Sequence, residues 1–266
     1  MREGEKTVSE PKTTTVDVNG HACRVWTKGS GPKIGFLAGF GGLPRWIPFL
    51  DRLAESRTVI APSMPGFPGA TGHNILDTHL DWLVAVKSLL GQAGLDGADL
   101  VGSSVGASFV AEVAALWPQS VKRIAMIAPF GLFDEKDPAT DVWAQRGDDV
   151  PGLLCANAQI YKDLKAMPAG ANSVEWPIEQ TRASEAAARI FWPLGNTKLE
   201  RRLPLITAPT LLIWGEGDRV IPRGYADRIA RVIPGGAKIT TIAGAGHLAE
   251  LDQPDAVAKA VLAHVA

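Results

Sequence analysis

Hydrophobic positions along the chain recur with two periods. Near the N-terminus Val16 and Val18 alternate with polar residues, Asn19-Gly20 follows, and Cys23, Val25 and Trp26 resume the alternation. Two alternating runs joined by Asn-Gly predict an antiparallel hairpin, because both central positions of a two-residue turn need positive φ. Short continuous apolar runs come next, at 34–38, 58–61, 100–101, 124–128, 210–214 and 239–242. Each is too short for a helix and reads as a strand. Between most of them the spacing is helical: Leu80, Leu83, Val86, Leu89 and Leu90; Phe109, Val113 and Leu116; Ile229, Val232 and Ile233; Val257, Val261 and Leu262. Strands alternating with helices predict an α/β fold. Right-handed crossovers would build a mostly parallel sheet covered on both faces, with the hairpin at one edge.

One connection breaks this rhythm. About 80 residues separate the run ending at Ala128 from the run starting at Thr210, whereas a crossover needs a dozen or more. A structureless loop of that length is improbable in a compact domain, so 134–203 is expected to form a small helical cap on a core made of 1–133 and 204–266. The segment holds Trp143, Trp176 and Trp192 with Tyr161, Met167 and Phe191, residues expected to serve core packing before substrate contact.

Composition removes several classes. With 266 residues, 46% of them hydrophobic, the chain can bury a sizeable core. Lys and Arg number 27 against 28 Asp and Glu, so the clustered positive charge that phosphate contacts require is missing, and no nucleic-acid partner is expected. No apolar run is long enough for a membrane span. Positions 1–15 are polar and charged with no apolar core of a leader, so a cytoplasmic setting is expected. Cys23 and Cys155 have no metal-ligand spacing and read as reduced, buried thiols.

The run Gly102-Ser103-Ser104-Val105-Gly106 is a G-x-S-x-G pattern between a strand and a helix-periodic segment. A nucleophile on so sharp a turn adopts strained angles, and small residues on both sides let strand and helix approach. Ser104 is therefore the candidate nucleophile, at a helix end that favours negative charge. The alternative for Ser104 is an ordinary helix N-cap. A serine hydroxyl needs an imidazole to take its proton and a carboxylate to hold that imidazole. Among five His, His21, His73, His79 and His264 read as hairpin, helix-start or surface residues. His247 instead follows the last strand through Ala243-Gly244-Ala245-Gly246, at a strand's C-terminal end, where open α/β sheets place their sites. Asp218, in the loop after 210–214, is the candidate acid. Glu216 sits between glycines and is expected to point to solvent, and Asp134 is the reserve acid. The loop Gly39-Phe40-Gly41-Gly42 after 34–38 supplies a second backbone donor, so the Phe40 and Val105 N–H groups are the candidate oxyanion hole.

Taken together these residues resemble the α/β-hydrolase fold family from about Val16 onward. The resemblance implies an eight-stranded sheet, a helical cap after strand six, a Ser nucleophile at the elbow, an acid after strand seven, a His after strand eight and no cofactor. Pro65-Gly66-Phe67-Pro68-Gly69 is similar to the family's proline-glycine loop. Many members carry His-Gly before the oxyanion donor, where this chain has Ala38-Gly39, which weakens the expectation of a rigid loop at Phe40. Haloalkane dehalogenases and epoxide hydrolases of this fold use Asp as nucleophile, so Ser104 disfavours both. Hydrolases of ring-fission products share the Ser triad but usually have Trp after the catalytic His and a cap Arg. Here Leu248 follows His247, with Arg182 or Arg189 as the available cation. The expected activity is hydrolysis of a small ester with an apolar part. Carbon–carbon bond hydrolysis ranks second, and a non-catalytic ligand-binding protein of the same fold is the alternative from another class.

Overall fold

In the computed structural model, residues 10–192 and 195–266 are described. Positions 1–9 of the polar N-terminal stretch, and Pro193 and Leu194 within 134–203, lie outside the described residues. The strands are β1 (Lys12–Val18), β2 (His21–Lys28), β3 (Lys33–Leu37), β4 (Thr58–Pro62), β5 (Ala98–Ser103), β6 (Val121–Ile127), β7 (Thr210–Gly215) and β8 (Lys238–Ile242). They form one eight-stranded sheet in the order β1-β2-β4-β3-β5-β6-β7-β8. β1 pairs antiparallel with β2, and β2 antiparallel with β4, while every later pairing is parallel. The edge hairpin turns at Asn19 and Gly20, with φ of 55° and 81°, the two left-handed positions that the Asn-Gly pair predicts.

The helices are α1 (Pro48–Ala54), α2 (His79–Gln92), α3 (Val105–Leu116), α4 (Val150–Leu154), α5 (Ala158–Lys165), α6 (Glu175–Phe191), α7 (Gly224–Val232), α8 (Ala249–Asp252) and α9 (Pro254–Val265). Adjacent residues of the central strands point to opposite faces and so feed two cores. Leu100, Ile124, Met126, Leu212 and Trp214 pack with α2, α3 and α7. Val101, Ala125, Ile127, Leu211 and Ile213 pack with α1 and α9. This two-faced burial is why the strands read as continuous apolar runs rather than alternating ones.

Two details go beyond the hydrophobic pattern. α1 has only seven residues and opens on Pro48, too short for a helical period to register in the sequence. α2 begins with a reciprocal capping box, Thr78 accepting from the Asp81 N–H and Asp81 accepting from the Thr78 N–H. Between β6 and β7 the chain forms α4, α5 and α6. Among the described residues no helix is long and apolar enough to cross a membrane.

Candidate active site

β5 ends at Ser103 and α3 starts at Val105, leaving Ser104 alone to make the turn. Its φ of 51° with ψ of −112° is a conformation that a side chain disfavours. The flanking glycines make it possible. A Cβ on Gly102 would lie 2.5 Å from Ala107 Cα, and one on Gly106 would lie 2.2 Å from the Leu37 carbonyl oxygen. Both contacts are with backbone and cannot relax by rotating a side chain. The Ser104 N–H is held by the Ile127 carbonyl at 2.7 Å, which fixes the elbow to the neighbouring strand.

His247 arrives from the loop after β8. Its Nε2 lies 2.8 Å from Ser104 Oγ, and its Nδ1 lies 3.0 Å from Asp218 Oδ2. With Nδ1–H donating to the carboxylate, Nε2 is left to accept the serine O–H. Asp218 Oδ1 accepts the N–H groups of Val220 at 2.8 Å and Ile221 at 3.0 Å. One carboxylate oxygen therefore holds the loop while the other faces the imidazole. Ser104 and His247 are 0% exposed, and Phe130 and the imidazole ring pack in a T-shaped pair with centroids 5.7 Å apart. In such a water-poor setting the hydrogen bonds are stronger than in solvent.

Of the other candidates, Glu216 is exposed, as expected. Asp134 is engaged with the Lys136 N–H and with Arg228, so it is not the acid facing His247. His79 bonds Glu112, His73 bonds Glu185, and His264 donates to main-chain carbonyls.

The loop after β3 passes close to the elbow: a Cβ on Gly39 would lie 3.1 Å from Ser104 Cβ. Val105, as the first residue of α3, has no intrahelical acceptor for its N–H. Among the described residues the Phe40 N–H has no backbone acceptor either. Among the described residues neither N–H has a backbone acceptor, and the Val105 peptide directly follows Ser104. Three contacts brace the loop that follows Ala38-Gly39. Gly42 N–H closes a turn onto Gly39 at 2.9 Å, Gly42 lies tight against Phe67 and Pro68, and Lys165 Nζ donates to the Gly41 carbonyl at 2.9 Å.

The aromatic residues of 134–203 do not share one role. Phe191 packs on Phe130 in the interior, with centroids 5.2 Å apart. Trp143 packs on Phe40 and lines a cavity beside it, while Trp192 and Met167 are exposed. Core packing therefore accounts for only part of the set. Residues that sequence reasoning missed are Lys165, Glu250 and Asp252. Each acts through a partner distant in sequence or folded back by a loop, and no periodic or motif signal marks them.

A family profile described as the alpha/beta hydrolase family matches residues 36–260. A pimeloyl-[acyl-carrier protein] methyl ester esterase of Xanthomonas campestris pv. campestris is 30% identical over 253 residues, covering 90% of this chain and 96% of that relative. The dihydrolipoyllysine-residue acetyltransferase component of the acetoin cleaving system of Cupriavidus necator is 28% identical over 257 residues. That match covers 89% of this chain but 64% of the relative, so the chain spans less than two thirds of its length. Among solved structures, the 2-hydroxy-6-oxo-6-phenylhexa-2,4-dienoate hydrolase of a Rhodococcus species superposes with a TM-score of 0.75 at 16% identity, covering 96% of this chain and 98% of its own. With its fold, its elbow and a profile match over most of its length, the chain belongs to the alpha/beta hydrolase family.

Proposed function

We propose that this protein is a serine hydrolase acting on carboxylic esters with an apolar part. The observation that carries the reading is the unbroken series Ser104 Oγ, His247 Nε2, His247 Nδ1 and Asp218 Oδ2, with steps of 2.8 and 3.0 Å. In this mechanism Ser104 Oγ attacks the ester carbonyl carbon while His247 Nε2 takes its proton. Asp218 holds the ring and stabilises the imidazolium. The Phe40 and Val105 N–H groups stabilise the tetrahedral oxyanion. Its collapse expels the alkoxide, which receives the proton from His247, and water then releases the acid from Ser104 by the same steps. No resident cofactor is assigned. Residues 134–203 act as a cap over a core of 1–133 and 204–266, and the walls from Phe40, Val142, Trp143 and Val150 favour an apolar part in the substrate. The relative named as a methyl ester esterase supports the same substrate class. A cytoplasmic setting agrees with two free, buried thiols, Cys23 and Cys155.

Carbon–carbon bond hydrolysis has less support. Leu248 stands where a Trp is usual, Arg182 faces Glu179 at 3.7 Å, and Arg189 bonds Glu185 at 3.2 Å. The test is turnover of short aryl esters together with fluorophosphonate labelling. The native protein should hydrolyse the esters and take one label, and Ser104→Ala should lose both, with turnover down at least about 10⁴-fold. Absence of label in the native protein would turn the reading to a ligand-binding role.

A further inference from the structure

A cavity of about 340 Å³ lies against Phe40 and Gly41 and is lined further by Trp143, Tyr161, Lys165 and Gln180. Its walls are mostly apolar, yet five polar side chains line it, Gln145 and Ser184 besides Tyr161, Lys165 and Gln180. The Lys165 ammonium has three protons, and two are given to the Gly41 and Gly42 carbonyls at 2.9 and 3.3 Å. Among the described residues Lys165 forms no ion pair. Glu179, whose field reaches it, is instead taken up by the Gly69 N–H at 2.8 Å and by Arg182. Gln180 leaves both side-chain atoms, Oε1 and Nε2, buried without a partner among the described residues. The Tyr161 hydroxyl lies close to Gly41, and burial pushes its phenol up so that it stays protonated.

A buried cation without a counter-charge and a buried amide without a partner are both costly arrangements. A polar group entering the cavity would relieve both costs at once. We infer that this cavity is a subsite for a carboxylate group carried by the ester, with Lys165 and Gln180 as its recognition pair. The inference rests on the ester-hydrolase reading and narrows it to anionic esters. The remaining Lys165 proton goes to one carboxylate oxygen and the Gln180 Nε2–H to the other, a pair of charge-assisted bonds. A single cation with no second positive group on the wall matches a monoanion. Burial holds the Lys165 ammonium down at about 7, so a bound carboxylate supplies the charge that the protein withholds. Lys165 also grips the loop that carries Phe40, which ties recognition of the anion to the oxyanion side of the site.

The experiment uses two matched pairs. Methyl hydrogen adipate against methyl hexanoate carries the anion on the acyl side, and 5-acetoxypentanoate against pentyl acetate carries it on the alcohol side. At least one anionic member should exceed its neutral partner in kcat/KM by about tenfold or more, and the pair that does so identifies the side. In Lys165→Met the ratio should fall close to one, and Gln180→Met should lower it too, which keeps the test open if the lysine variant folds poorly. Ratios near one in the native protein for both pairs overturn the subsite while leaving the esterase reading intact. If no ester turns over, calorimetric binding of the same four esters to the native protein decides. A tenfold preference for an anionic member upholds the subsite without the reaction, and equal affinities reject it.

Discussion

Asp252 Oδ2 accepts the backbone N–H of Gly246, the residue before His247, at 2.8 Å. The same oxygen takes the Ala156 N–H at 2.8 Å, and Oδ1 takes the Asn157 N–H at 3.2 Å. Beside them the Leu248 N–H donates to the Leu154 carbonyl at 2.8 Å. The His247 loop is thereby tied to the linker between α4 and α5. Asp252→Ala should lose about 2 kcal/mol of stability in urea unfolding, a value discounted because the carboxylate is partly exposed. It should also lower kcat more than KM rises, since it acts on the position of His247 rather than on the substrate. An unchanged kcat would show that the loop holds its place without this carboxylate.

Asp218→Asn keeps the size of the side chain but loses the charge that selects the Nδ1–H tautomer. Turnover should fall about 10⁴-fold with no change in fold. Circular dichroism paired with ester hydrolysis checks both halves of that statement.

Glycines 102 and 106 should tolerate no side chain. Gly106→Ala drives a methyl group to 2.2 Å from a carbonyl oxygen, and a loss of about 3 kcal/mol or more, or failure to fold, is expected. Gly152→Ala, where nothing lies within 4 Å of the new Cβ, is the control and should be neutral or more stable by up to about 1 kcal/mol. Equal melting temperatures for the two variants would remove the steric account of the elbow.

Glu250 follows His247 by three residues and is 3% exposed, with Oε2 lacking a partner among the described residues. Burial lifts its carboxyl from 4.5 to about 7, against the opposing pull of the Ser103 hydroxyl and of His247. The folded state therefore keeps its proton where the unfolded chain releases it. The contribution of Glu250 to stability falls as pH rises from about 4.5 to about 7 and is flat on either side. Glu250→Gln removes that slope. The variant should gain up to about 3 kcal/mol over the native protein at pH 8 and nothing at pH 4. Urea unfolding at the two pH values is the measurement, and parallel offsets at both would contradict the assignment.

What the sequence disclosed and what it hid have separable physical causes. Buried strands must be apolar on both faces, so β3 to β7 stood out as runs, and the Asn-Gly turn marked the edge. Ser104 was visible because an elbow demands small residues at fixed offsets, and Asp218 and His247 because strand ends in a parallel sheet converge. Lys165 and Asp252 were hidden for the opposite reason. Lysine at the end of α5 and aspartate at the end of α8 are ordinary at those positions, and their importance lies in main-chain atoms of Gly41, Gly246 and Ala156, which carry no side-chain signature. The split roles of Trp143, Phe191 and Trp192 were equally illegible, since an indole reads the same whether its neighbours are protein, cavity or solvent.

The sharp bend between β5 and α3 is enforced by main-chain atoms meeting at Gly102 and Gly106, so the hydroxyl it displays is not part of the framework. Position 104 thus takes its backbone conformation from the main chain around it, and a change confined to its side chain, such as Ser104→Ala, should leave the fold intact.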